Sequence, residues 1–195
     1  MPHRYVLYGG TALALRFAHR PSVDFDFFAH DDLDHRELER ALPFSSRAET
    51  LQESANTRTW LVASSGGDVK VSFFGAIQFG RVGEPEPTDD GTLRAASLAD
   101  LGGTKIKALL QRVEVKDYLD VLALIERGVG LPAILGAARA LFGATFNPLV
   151  AQKALVYFEG GDLATLSQQA RQRLVAEAAR DIDIPSVSLA APRLD

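Results

Sequence analysis

No cysteine occurs in the 195 residues, so disulfides and thiolate-bound metals are excluded, an absence that fits a reducing cytoplasm. Long hydrophobic runs are also missing. The most apolar segment, residues 131–142, is broken by Pro132, Gly136 and Arg139, far short of the ~18–20 residues a membrane span needs. The N-terminus runs directly into Tyr5-Val6-Leu7-Tyr8 without signal-peptide architecture. The four histidines (His3, His19, His30, His35) lack zinc-site spacing, and no Ser-His-Asp arrangement can be drawn. A net charge of −4 excludes a chain that binds nucleic acid by overall positive charge. A local basic cleft remains open to Arg4, Arg16, Arg20, Lys105, Lys107, Arg112 and Lys116. The single tryptophan, Trp60, sits in a strand pattern and reads as core.

What is present, 47% apolar and 24% charged residues, describes one globular domain or a compact domain with a helical extension. The most informative stretch is YVLYGGTALALRFAHRPSVDFDFF, residues 5–28. Tyr5–Tyr8 reads as a short strand that stops at Gly9-Gly10. Thr11 is a candidate N-cap for a helix over about Ala12–His19, which Pro21 ends. In the following run Asp24 and Asp26 share one strand face, while Val23, Phe25 and Phe27 share the other. Two like charges so close repel unless a cation lies between them, and hard oxygen ligands suit Mg²⁺. The glycines would let backbone N–H groups approach a phosphate at a helix N-terminus. Taken separately, Gly-Gly is an ordinary turn and Asp-x-Asp a common solvated face; their order, strand–GGT–helix–Arg-x-Ser-x-Asp-x-Asp, is far more specific.

Downstream, residues 31–42 read as a helix burying Leu33, Leu38 and Leu42, and residues 47–53, 58–64 and 68–74 as an antiparallel meander. The segment GRVGEPEPTDDG (80–91) reads as a surface loop or linker between a mixed α/β half and an all-helical half. Ser97 caps a helix through about Arg112, and Gly102-Gly103 inside it costs roughly 1 kcal/mol per glycine unless close backbone approach requires them. Asp117 opens the next helix or merely caps it; Asp120 is expected to face solvent or pair with a neighbouring base. Lys105 and Lys107 could equally be a solvated helix face. Residues 131–142, 148–159 and 164–181 are three more helical patterns.

GGTALAL, HRPSVDFDFF and TKIKALLQR…KDYLD together resemble the AbiEii/AbiGii-type nucleotidyltransferase family, whose fold is shared with DNA polymerase beta. FNPLVAQKALVYFEGGDL also resembles that family's C-terminal helical region. The resemblance implies an α+β protein: a mixed-sheet nucleotidyltransferase core (residues 1–90), then a helical bundle (91–195) contributing Lys105 and Asp117. It implies that Gly9, Gly10, Thr11 and Ser22 lie at the triphosphate, with Arg112 reaching phosphate. Asp24 and Asp26 would bind Mg²⁺ (or Mn²⁺), and Lys105 and Asp117 would complete the catalytic set. The implied activity is transfer of NMP from an NTP to an acceptor hydroxyl, RNA such as a tRNA 3′ end. The implied role is a cytoplasmic toxin of a type IV toxin–antitoxin or phage-defence system, held by an antitoxin. Asp117 would orient Lys105 or take the acceptor proton; the residues do not choose.

Two departures stand out. Ser72 occupies the place of a third carboxylate common in polymerase-beta-like enzymes. The chain also begins almost inside the first strand, where the family has a preceding helix, so apolar surface is expected there. Alternatives from other classes are a degenerate member that binds nucleotide or a partner without turnover, and an Asp-x-Asp glycosyltransferase.

Overall fold

The computed structural model describes residues 4–194 and is an α+β fold. Its strands are β1 (Val6–Tyr8), β2 (Asp24–Phe28), β3 (Glu49–Ser54), β4 (Thr57–Val62), β5 (Val69–Phe74), β6 (Glu86–Pro87) and β7 (Arg94–Ala95). They form one mixed sheet in the order β3-β4-β5-β2-β1-β7-β6. The helices are α1 (Gly9–Phe17), α2 (His35–Ala41), α3 (Leu98–Ala108), α4 (Val115–Glu126), α5 (Leu131–Phe142), α6 (Pro148–Leu155) and α7 (Gln168–Ala178).

Alternation along β2 and β5 decides what each sheet face carries. One face holds Phe25, Phe27 and Phe73: Phe27 stacks on Phe73 at 5.0 Å, and Trp60 and Tyr5 meet Phe73 edge-on. The opposite face presents Asp24, Asp26 and Phe28 on β2 beside Lys70, Ser72 and Phe74 on β5, in register pairs. The meander β3–β4–β5 forms as its alternation predicts, and Trp60 is core at 1% exposure. Tyr5 to Tyr8 are buried to the same degree, so the apolar surface expected at β1 is covered by the chain itself.

Three expectations are corrected. Helix α1 starts at Gly9 rather than after Thr11, with Tyr8 as a cap residue that makes no side-chain bond. Thr11 lies inside the helix, and its hydroxyl bonds the Asp24 carbonyl and Ser22 Oγ, so it ties α1 to β2 instead of capping. The 80–91 segment is not wholly loop: Glu86–Pro87 pairs antiparallel with β7, and β7 extends the sheet parallel to β1. The boundary expected at residue 90 falls between these two strands.

Gly102 and Gly103 have their reason in packing. A methyl group on Gly103 would lie 2.9 Å from Leu141 Cδ1 and 3.0 Å from the Ala138 nitrogen, and one on Gly102 would lie 3.0 Å from Ile134. The glycines let α3 and α5 approach backbone to backbone, and this contact fixes where Lys105 and Lys107 emerge. Among the described residues no single helix is long and apolar enough to cross a membrane.

We predict that Gly103→Val, despite removing a helical glycine, lowers stability by roughly 1–3 kcal/mol through overpacking. Urea denaturation should show a lower midpoint with an unchanged slope; an unchanged midpoint would mean the helices do not meet there.

Candidate active site

The chain leaves β1 through Gly9 at φ +75°, a conformation that glycine adopts without strain, and turns at once into α1. Among the described residues no side chain caps that helix, so its first backbone N–H groups lack a side-chain acceptor at the positive end of the helix dipole. Asp26 lies directly beneath: a methyl group on Gly9 would sit 3.0 Å from Asp26 Oδ2. Gly10 is small for another reason. A methyl group there would overlap the Arg20 guanidinium, which crosses it on the way to Asp120.

The cleft above the polar sheet face has a volume of about 810 Å³. Gly9, Gly10, Ser22, Asp24, Asp26, Lys105 and Arg112 all line it. Residues from either side of residue 90 thus meet in one cavity. The remaining two expected site residues, Thr11 and Asp117, stand behind the wall as supports. Six basic side chains (Arg20, Lys70, Lys105, Lys107, Arg112, Lys116) face two acidic ones, so the cleft is basic in an acidic protein. Its far end is apolar, with Phe28, Phe74, Ile77, Phe79 and Phe142.

The two aspartates differ. Asp24 lies 3.4 Å from Lys70 Nζ. Among the described residues no side-chain hydrogen bond or ion pair reaches the Asp26 carboxylate. Burial raises its pKa above the usual carboxylate range; Lys70 opposes the rise and Asp24 adds to it. A half-buried, unpartnered carboxylate beside a second one on the same strand face is a donor pair that suits a hard divalent cation. No cluster of three or more acidic, histidine or cysteine ligands occurs among the described residues.

Lys105 and Asp117 belong to a buried ion network. Lys105 Nζ lies 2.8 Å from Asp117 Oδ1 and 2.6 Å from Asp120 Oδ2. Asp117 accepts from Arg112 Nε at 2.7 Å and Nη2 at 3.0 Å, and Asp120 from Arg20 Nε at 2.7 Å and Nη2 at 2.8 Å. His19 Nε2 stands 2.7 Å from Asp120 Oδ1. Both carboxylates are fully buried. Burial alone would raise the Asp117 pKa, but Arg112 and Lys105 hold it below the ordinary range. For Asp120, Arg20, Lys105 and His19 overcome burial in the same way.

Of the two expectations for Asp120, solvent exposure is corrected and pairing with a base is met: it is the hub, bound to Arg20, Lys105 and His19. The signal was present in the Asp117-x-x-Asp120 spacing, which puts both acids on one face of α4. Arg20 stood in the Arg-x-Ser-x-Asp-x-Asp motif, but nothing local named its partner or that of His19, which lies about 100 residues away.

Comparisons with known proteins bear on family and fold. The model of the Nucleotidyl transferase AbiEii toxin family, type IV TA system, matches residues 2–190. An uncharacterised protein of Aquifex aeolicus (strain VF5), aq_aa25, is 31% identical over 159 residues, covering 80% of this chain and 74% of that one. Among solved structures, MenT4, a nucleotidyltransferase toxin from Mycobacterium tuberculosis H37Rv, superposes with a TM-score of 0.61 at 14% identity. The superposition covers 93% of this chain and 77% of MenT4.

Two predictions follow from the electrostatics. Asp26→Asn removes a charge held without a partner and should raise the melting temperature of metal-free protein by about 2–4 °C, the shift ~1 kcal/mol makes at this size; a fall would show that Asp26 is internally paired. Asp117 and Asp120 have folded pKa values below their unfolded ones, so their stabilisation is complete above about pH 4 and is lost as pH falls through the folded values. Asp120→Ala leaves Arg20 without its carboxylate and Lys105 with Asp117 alone, and should cost about 3–5 kcal/mol at pH 7. The difference from wild type, measured by urea titration, should shrink toward pH 3.

Proposed function

We propose, on the premise that this chain belongs to the AbiEii family of nucleotidyltransferase toxins of type IV toxin–antitoxin systems, that it transfers NMP from an NTP to a hydroxyl of RNA, such as a tRNA 3′ end. The observation that carries this reading is the convergence on one cleft of the Asp24/Asp26 face with Lys105 and Arg112, which come from beyond residue 100. In the same reading residues 1–90 are the nucleotidyltransferase core. Residues 91–195 complete the site, with β7 handed back to the core sheet.

The uncapped start of α1 at Gly9, Gly10 and Thr11 supplies backbone N–H groups to phosphate oxygens, with Ser22 beside them. Asp24 and Asp26 hold Mg²⁺, for which Mn²⁺ can substitute. When bound, the cation neutralises charge on the phosphoryl oxygens. Two of the three Lys105 donors are taken by Asp117 and Asp120, which leaves one for phosphate. Asp117 has both oxygens engaged and a lowered pKa, which supports orienting Lys105 and Arg112 rather than taking a proton. The aromatic end of the cleft, Phe28, Phe74, Phe79 and Phe142, suits a base held by stacking, a mode tolerant of base identity. Lys107 and Lys116 on the rim suit the phosphates of an acceptor strand. Phage defence by a cytoplasmic toxin under a cognate antitoxin is the physiological setting of this reading.

One observation favours a second reading, nucleotide binding without turnover: Ser72, not an acid, pairs with Asp26 in the sheet. The test for both is incubation with each α-labelled NTP and total RNA. We predict label transfer by the wild type, cut about 10³-fold or more in Asp24→Ala/Asp26→Ala. Transfer unaffected by the double substitution would refute the site. Tight NTP binding with no acceptor labelled would favour the second reading.

A further inference from the structure

The polar sheet face carries a feature that the two-carboxylate site does not account for. On β5, next to β2, Lys70 pairs with Asp24 and Ser72 with Asp26. Ser72 is 2% exposed and accepts a hydrogen bond from Thr59 Oγ1 at 3.2 Å, so its hydroxyl is already committed to the neighbouring strand. A neutral, engaged hydroxyl is a poor partner for a hard cation. Lys70 is held on both sides: its N–H donates to the Val23 carbonyl at 3.1 Å, and it pairs with Leu61 on β4. The backbone thus delivers an ammonium group to the two acids, with Nζ 3.4 Å from Asp24 Oδ1. Among the cleft's cations, Lys70 also has the largest influence on Asp26, ahead of Lys105 and Arg112.

We propose that this is a single-cation centre, in which the Lys70 ammonium supplies the positive charge that a second divalent ion would otherwise bring. The inference rests on reading Asp24 and Asp26 as cation ligands. Charge arithmetic supports it. Two carboxylates, one ammonium and one divalent ion leave the same net charge as three carboxylates and two divalent ions. A second divalent ion would meet the repulsion of Lys70 with no third carboxylate to offset it. Lys70 is then a positioning residue, fixing how many cations the cleft accepts.

The number of bound ions tests this directly, without reliance on turnover. Mn²⁺ is titrated into the full chain, alone and with a non-hydrolysable NTP analogue, and bound ions are counted by electron paramagnetic resonance. Thermal melts confirm that each variant folds. The wild type should hold one Mn²⁺ per chain in the nucleotide complex, and Lys70→Met/Ser72→Asp, which restores a third acid and removes the ammonium, should hold two. Lys70→Met alone keeps the alkyl stem and should bind the first Mn²⁺ about tenfold more tightly in nucleotide-free protein, while Lys70→Arg should behave as wild type. Two ions in the wild-type complex, or unchanged affinity in Lys70→Met, would overturn the inference and leave the nucleotidyltransferase reading standing. Failure of the wild type to bind either Mn²⁺ or the analogue would remove that reading, and this inference with it.

Discussion

The Asp117–Lys105–Asp120–Arg20 ion network is the constraint on which the site depends. Four charges with little or no access to water are tolerable only when each finds its partners, and here the bidentate guanidiniums and the shared ammonium use up the carboxylate oxygens. Such a network adds little net stability over an apolar core, yet breaking it is expensive, so it acts chiefly as a specification of geometry. It locks α4 against α3, and through Arg20 it locks both against the turn between α1 and β2. Gly10 and the α3 glycines belong to the same requirement: one clears the path of Arg20, the others bring α3 close to α5.

Against those fully paired carboxylates stands an incomplete set. Asp26 is half-buried with no hydrogen-bond donor, and the first turn of α1 has no cap. Both defects face the same cleft and are of opposite sign: an anion without a partner and donors without an acceptor. In the proposed reading, a metal-bound polyphosphate would repair both at once. This complementarity is a stronger functional signal than either motif alone, since a turn and two surface acids would show neither defect.

Much of this was legible in the sequence because it is local. The alternation in VDFDFF and DVKVSFF fixed which residues share a face, and the observed register bears out Ser72 opposite Asp26. Ser97 caps α3 as its capping-box pattern predicts, whereas the last helix starts at Gln168 behind Ser167 rather than at residue 164. What escaped is either too short or too distant. β6 and β7 have two residues each, and a proline lies in one of them, so no periodicity can announce them. Which bases Asp120 would pair with escaped, because Arg20 and His19 are far along the chain. The helix start at Gly9 escaped because the backbone, not a side chain, makes that turn.

The 100 residues between Arg20 and Asp120 also have a meaning in time. A ribosome adding roughly 5–20 residues per second makes the strand with both aspartates on the order of 5–20 s before it makes the helix that anchors Arg20. For most of that interval the nascent chain carries Asp24 and Asp26 without Lys105 or Arg112, and to its end without the anchor of its turn. In this order of synthesis the cleft is completed last: it closes only once α4 has been made and can fold back.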